Sequence, residues 1–302
     1  MGDPVREGFE ALRRTKPYLE WAESSSGNAI DARKLDRKLA GEKTPKPRSG
    51  YALSLWRMLD APPPVVPLSP IWQRDIVFST SLSSFHDPGR TDALERGWTV
   101  VAPELLHGAN SAGSAAELRL IGDRLRREGW SLAGWGTYGQ GTDPEKDGIA
   151  AGAIVAELGL DGWIANGETW AEGKDAWKSR AFLEGWAASR APKGCPLSVS
   201  CNGSDTNLPR EFDYEAWLEV PGAAIMPQAY TNVDAGYTWE ASLEMLTAAG
   251  VPRSRISMTF GTWPFSGKPI PFDRYKTWPG PRGAYVGERM PAGGWAKMER
   301  AS

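Results

Sequence analysis

From Ile71 onward, short apolar runs alternate with amphipathic helical stretches, roughly one pair every 25–30 residues, the length of a βα unit. Eight runs read as strands: Ile76–Thr80, Thr99–Glu104, Ser131–Thr137, Gly162–Asn166, Leu197–Ser200, Ala223–Tyr230, Ile256–Phe260 and Gly283–Val286. Helical patterns fill most of the gaps: Asp87–Arg96, Ser114–Glu128, Pro144–Glu157, Asp175–Ser189, Tyr214–Leu218 and Trp239–Ala249. Gly97, Gly129 and Gly250 stand where such helices should end. The spacing predicts an α/β chain closed as a (β/α)8 TIM barrel of roughly 230 residues. An open doubly wound sheet would need a glycine-rich turn after the first strand, and Ser79–Ser84 contains no glycine.

Residues 1–60 have a different pattern and predict a small all-helical N-terminal module. Phe9, Leu12, Tyr18 and Trp21 form one apolar face, Ile30, Leu35 and Leu39 a second, and Tyr51–Leu59 a third short helix. Ala61–Pro70 reads as a stiff proline-rich linker, which leaves 71–302 for the barrel.

A formal net charge of -2 gives no basic field for nucleic acid or an anionic membrane. No apolar run is long enough to cross a bilayer, and the N-terminus lacks a signal-peptide pattern, so synthesis in the cytosol is expected. Cys195 and Cys201 flank a strand that would hold them about 20 Å apart, beyond disulfide reach. With only His86 and His107 to join them, no metal-ligand spacing is met, and neither metal nor cofactor is expected.

A barrel collects its chemistry at the carboxyl ends of its strands. Those ends carry Ser79, Thr80, Glu104, Trp135, Thr137, Asn166, Glu168, Ser200, Asn202, Gln228, Tyr230, Thr262, Trp263, Tyr285 and Glu288. Acids, amides, hydroxyls and aromatics without a Lys or Arg cluster suit a neutral polyhydroxy ligand. Asp161–Glu168 reads as a buried strand ending in Asn166 and Glu168, two positions apart and therefore on one face. Glu168 is the candidate general acid, with Trp163 and Trp170 expected to strip its solvation. Glu104 is the first candidate for a second carboxylate, followed by Asp205 and Glu288. The glycine-rich segment after the third strand is expected to offer Trp135 and Tyr138 to a ligand, and Thr262–Pro281 to form an aromatic loop on the same face.

Asp161–Glu168, Met226–Asn232 and Gly283–Met290 resemble the glycoside-hydrolase-like TIM-barrel domains of actinobacterial phage minor tail and lytic proteins, over about Ile71–Met298. The chain is more distantly similar to chitinase-type and lysozyme-type barrels, whose fourth strand ends in Asp-x-Glu. The resemblance implies that Glu168 is the acid and that Tyr230 hydrogen-bonds the reacting sugar. Asn166 departs from that pattern, because it replaces a carboxylate with a neutral amide. An Asn-x-Glu pair resembles family 85 endo-N-acetylglucosaminidases, in which the substrate's 2-acetamido oxygen is the nucleophile. The seventh strand ends Thr259-Phe-Gly-Thr-Trp without an acid, which argues against the large clan that keeps its nucleophile there.

The resulting expectation is a tail-associated protein of the virion that binds or cleaves a bacterial cell-wall glycan. Glu168, Asn166, Tyr230 and Glu104 would be catalytic; Trp135, Tyr138, Trp170, Gln228, Asn202, Trp263 and Tyr285 would hold substrate. The N-terminal module would attach to other phage tail proteins, with a homo-oligomer as one arrangement. The alternatives are a non-catalytic tail or receptor-binding protein on a glycosidase fold, and a host-lysis enzyme released by a holin.

Overall fold

The computed structural model describes residues 67–80, 89–107, 110–111, 115–203, 212–233, 235, 237–263, 269–286 and 290–299. The N-terminal helices read from residues 1–60 lie outside them, as do His86, Asp87, Asp205 and Glu288.

Eight parallel strands alternate with helices in chain order. They are β1 (Asp75–Ser79), α1 (Gly89–Glu95), β2 (Trp98–His107), α2 (Ala115–Arg127), β3 (Ser131–Thr137), α3 (Pro144–Leu158), β4 (Gly162–Asn166) and α4 (Trp177–Ala188). The second half runs β5 (Leu197–Asn202), α5 (Tyr214–Leu218), β6 (Ile225–Gln228), α6 (Trp239–Ala248), β7 (Met258–Gly261), α7 (Phe272–Tyr275), β8 (Arg282–Val286) and α8 (Gly294–Met298). Each strand pairs in parallel with the next, and β8 pairs with β1, so the sheet closes as the expected (β/α)8 barrel. Asn110–Ser111 adds a short antiparallel return on the end of β2, which the sequence pattern did not announce.

Alternation along the strands separates two cores. Inward residues Ile76, Phe78, Val100, Ala102, Ala133, Trp135, Ile164, Ala224 and Met226 fill the barrel. Outward residues such as Val101, Leu132, Trp163, Val199, Ile225, Met258 and Phe260 pack under the helices. Leu68, Ile71 and Trp72 belong to the inner cluster, and the Ser69 N–H donates to the Gly222 carbonyl at 2.9 Å. The barrel's packing therefore starts at Leu68, inside the stretch read as linker.

Closure is reinforced where β8 meets β1. The Arg282 guanidinium, 3% exposed, donates through Nε to Asp75 Oδ2 at 3.0 Å and lies 4.9 Å from the Trp98 ring centroid. A buried, forked pair of this kind fixes the register of the last strand against the first.

Candidate active site

The inward parity of each strand carries on to the carboxyl end of the barrel, so the last inward residues meet there. Register places Thr137 beside Asn166, Asn166 beside Ser200, and Asn202 beside Gln228 on successive strands. Glu168 continues the parity of β4 two residues beyond Asn166 and remains half-buried. Its carboxyl group does not cap the turn that follows. Instead, Glu168 Oε1 accepts the Asn166 Nδ2 amide at 2.9 Å and the Gln228 Nε2 amide at 3.0 Å. Gln228 Nε2 also donates to Asn166 Oδ1 at 2.9 Å. Both ends of the Asn166 amide are thus engaged. An ionised aspartate at that position would offer Glu168 repulsion where Asn166 offers a donor.

Between them, Gly167 is required by close approach. A Cβ there would lie 2.7 Å from Tyr138 Cζ. The phenol of Tyr138 in turn bonds the Ser179 hydroxyl of α4 at 2.9 Å.

An aromatic wall faces the amide and carboxyl groups. Trp263 meets Tyr230 and Tyr285 edge-on at centroid distances of 5.1 and 5.3 Å, and Trp135 meets Tyr285 at 6.1 Å. Trp135 is anchored by its indole N–H, which donates to the Ser79 carbonyl at 3.0 Å. Trp263 is anchored by Asn232, whose Nδ2 donates to the Trp263 carbonyl at 2.7 Å. Burial, reinforced by Tyr285 and Glu168, pushes the Tyr230 phenol well above its usual range. Burial and the charges of Glu104 and Glu168 push Tyr285 up to about 12. Both phenols therefore remain O–H donors at ordinary pH. Glu104 reaches this group from the opposite side of the mouth, on β2, where His107 Nδ1 lies 3.2 Å from its Oε1.

Of the expected site residues, Glu168, Asn166, Gln228, Tyr230, Glu104, Trp135, Trp263, Tyr285 and Asn202 all belong to this end of the barrel. Tyr138 does not. It is fully buried in the outer core, 4.9 Å from the Phe182 ring and 6.1 Å from Trp217, out of reach of a ligand. Trp170 packs against the same outer core and donates its indole N–H to the Tyr138 carbonyl at 2.8 Å. Trp163 likewise lies in the outer core, on the outer face of β4. Lys178 ties these segments together through Nζ, donating to the Gly139 carbonyl at 3.0 Å and the Trp170 carbonyl at 2.7 Å. Cys195 and Cys201 are free thiols.

Sequence reasoning passed over one acid. Glu172, 8% exposed, accepts the Asn202 Nδ2 amide at 2.9 Å. Burial, reinforced by the nearby charge of Glu168, raises its carboxyl from 4.5 to about 7 against the opposing Asn202 bond. The folded chain therefore keeps a proton on Glu172 through a pH range where the unfolded chain has lost it. The linked stability is fully present below about pH 4.5 and is lost as pH rises through 7. Glu172→Gln, which keeps an acceptor for Asn202, is expected to flatten that loss. Urea unfolding at pH 5 and pH 8 should show the variant losing about 2 kcal/mol less than the wild type between the two.

No protein-family model matches the chain, and no curated protein matches it. Solved structures do. The catalytic domain of a hyperthermophilic chitinase from Pyrococcus furiosus aligns with a TM-score of 0.50 at 12% identity, covering 73% of this chain and 85% of that one. A GH18 chitinase from Flavobacterium johnsoniae aligns with a TM-score of 0.45 at 11% identity, over 63% of this chain and 68% of its own. A D-allulose 3-epimerase from Methylomonas sp. aligns with a TM-score of 0.46 at 15% identity, over 76% and 91%. With the first of these structures the chain shares the (β/α)8 barrel fold.

Proposed function

We propose that this barrel binds a neutral, N-acetylated glycan of the bacterial surface and cleaves it, with Glu168 as the proton donor. One observation carries the reading. A half-buried carboxyl group stands at the end of β4, oriented by the Asn166 and Gln228 amides and faced by the wall of Trp135, Tyr230, Trp263 and Tyr285. Aromatic faces take the apolar side of a pyranose, while the phenols and amides take its hydroxyl and acetamido groups.

With Asn166 in place of a carboxylate, the substrate's own acetamido group is the fitting nucleophile. Glu168 gives its proton to the glycosidic oxygen as the bond from that oxygen to C1 breaks. The acetamido carbonyl oxygen then bonds C1, and the positive charge passes to the resulting five-membered ring. Water next adds to C1, reopens the ring and returns a proton to Glu168. Tyr230 and Tyr285 would donate to the acetamido oxygen, and Asn166 would hold Glu168 in place.

The setting in a phage tail, with residues 1–60 as the attachment module, is supported by the sequence resemblance. Finding the chain in purified particles, and losing it from them on deletion of 1–60, would test it.

The test of activity is release of reducing ends from purified cell wall and from chitin oligosaccharides. Equal background release by the wild type and Glu168→Gln would sink the hydrolytic reading. Retention on wall that is then pelleted would support binding alone, which the neutral Asn166 also suits. Trp263→Ala, which removes one face of the wall, is expected to weaken chitin-tetramer binding about tenfold by calorimetry. Unchanged affinity would remove Trp263 from the binding surface.

A further inference from the structure

Three rings of the aromatic wall, Tyr230, Trp263 and Tyr285, stand on three segments whose main chains are tied together. The Thr262 hydroxyl donates to the Tyr285 carbonyl at 2.8 Å and joins the end of β7 to β8. On the other side, Asn232 Nδ2 donates to the Trp263 carbonyl at 2.7 Å. Asn232 lies two residues beyond Tyr230, in a turn closed by the Val233 N–H on the Tyr230 carbonyl at 2.8 Å. Its amide therefore joins the Tyr230 turn to the Trp263 segment. Gly261, the last residue of β7, makes room for this joint. A Cβ there would overlap Asn232 Oδ1 and lie 2.7 Å from Trp263 Cζ3, so amide and indole pack over the same bare backbone. The Tyr275 hydroxyl of α7 donates to the Gly261 carbonyl at 3.0 Å, and the Tyr275 ring stacks on Phe260 at 4.5 Å.

We propose that Asn232 is the positioning residue of the aromatic wall: through the Trp263 carbonyl it sets the Trp263 ring edge-on to Tyr230 before a sugar arrives. This rests on the reading of the wall as a glycan-binding surface. Asn232 is 1% exposed and Trp263 is partly exposed, so a ligand reaches the indole and not the amide. Asn232 therefore acts on the ligand through Trp263. A ring already held at 79° and 5.1 Å from Tyr230 loses little freedom on binding, whereas a ring released from the amide must be ordered by the ligand. Asparagine is the fitting residue type. Its Nδ2 gives the Trp263 carbonyl a donor away from bulk water, and its Oδ1 stands 3.5 Å from the Tyr275 hydroxyl. Aspartate has the same shape without the donor. It would set an oxygen against the Trp263 carbonyl and drive that segment away. Glu168 takes its amide donors from Asn166 and Gln228, so the loss should fall on KM and spare kcat.

The full chain labelled with 5-fluorotryptophan tests this by 19F NMR. The Trp263 resonance is the one lost in Trp263→Phe. In Asn232→Asp it should move, while the resonances of the other tryptophans stay largely in place. Calorimetry with chitin tetramer gives the second readout. Asn232→Asp should weaken binding about tenfold, as Trp263→Ala does, and the double variant should bind no more weakly than Trp263→Ala alone. In turnover, KM should rise by about the same factor with kcat within roughly threefold of wild type. If Asn232→Asp fails to fold by circular dichroism, Asn232→Ala removes the donor without adding charge and should give the same results. The proposal is overturned if the Trp263 resonance keeps its place in the folded variant, or if the double variant loses a further tenfold. A moved resonance in a chain that binds neither chitin tetramer nor cell wall upholds the positioning and rejects the glycan reading. Cleavage that needs Glu168 but keeps its KM in Asn232→Asp does the reverse.

Discussion

Gly185→Ala is expected to destabilise the barrel by about 3 kcal/mol or more, although alanine is the better helix former. Gly185 lies inside α4, where exchange for alanine in an isolated helix would gain about 1 kcal/mol. Here α4 meets α3 backbone to backbone. A Cβ on Gly185 would overlap the Glu145 carbonyl oxygen and come within 2.7 Å of its carbon. A Cβ on Gly148 across the seam would lie 2.7 Å from the Trp186 nitrogen. Main-chain atoms cannot turn aside as a side chain can, so the helices must separate. Separation would also loosen Phe182 of α4 from Tyr138 and Trp217, rings that now lie 4.9 and 5.9 Å away. For a domain of this size the melting temperature should fall by roughly 6–12 °C. A rise of a degree or two, the helix-propensity result, would show that the seam has slack. The site should feel the change as well, because Lys178 of α4 anchors the carbonyls of Gly139 and Trp170 beside it.

The extent to which the sequence disclosed this structure follows from how local each cause is. Ser131–Thr137, Gly162–Asn166 and Tyr214–Leu218 were readable to the residue, because apolar pattern and flanking turns coincide there. α7 and α8 were not, since four- and five-residue helices in proline- and glycine-rich stretches have no periodicity to detect. Strand parity placed Asn166, Glu168, Gln228 and Tyr230 together. Applied consistently, it would also have sent Trp163 and Tyr138 outward, because Ile164 on β4 and Trp135 on β3 face in. Glu172 lay beyond any such rule. It follows the strand, so parity has lapsed, and its burial depends on Asn202, thirty residues away on the next strand. The use of Asn166 was half readable. Its lack of charge was plain in the sequence, but its role as a donor to Glu168 needed Gln228 across the barrel.

Glu168→Gln should lower kcat for chitin-oligosaccharide cleavage about a thousandfold or more, near 4 kcal/mol of transition-state stabilisation, while KM stays within roughly threefold. The substitution is informative because so little else changes. The glutamine carbonyl can still accept from Asn166 Nδ2 and Gln228 Nε2, so the amide network keeps its partners. Glu168→Ala would leave both donors facing a void and mix instability with loss of chemistry. The aromatic wall stands on other strands and should bind substrate as before. What glutamine cannot do is give a proton to the glycosidic oxygen. Loss of kcat with KM intact is therefore the signature of a group needed only in the transition state. Glu104→Gln provides the comparison. Glu104 shares the mouth but leans on exposed His107, and its charge reaches the site through Tyr285. A fall of tenfold or less there, beside a thousandfold fall at Glu168, would assign the proton to Glu168. The reverse order would move the acid across the barrel to β2 and leave Glu168 as a binding group. Substrates with a nitrophenol leaving group, which need little protonation, should recover much of the activity lost in Glu168→Gln. If they recover none, Glu168 acts elsewhere than on the leaving oxygen.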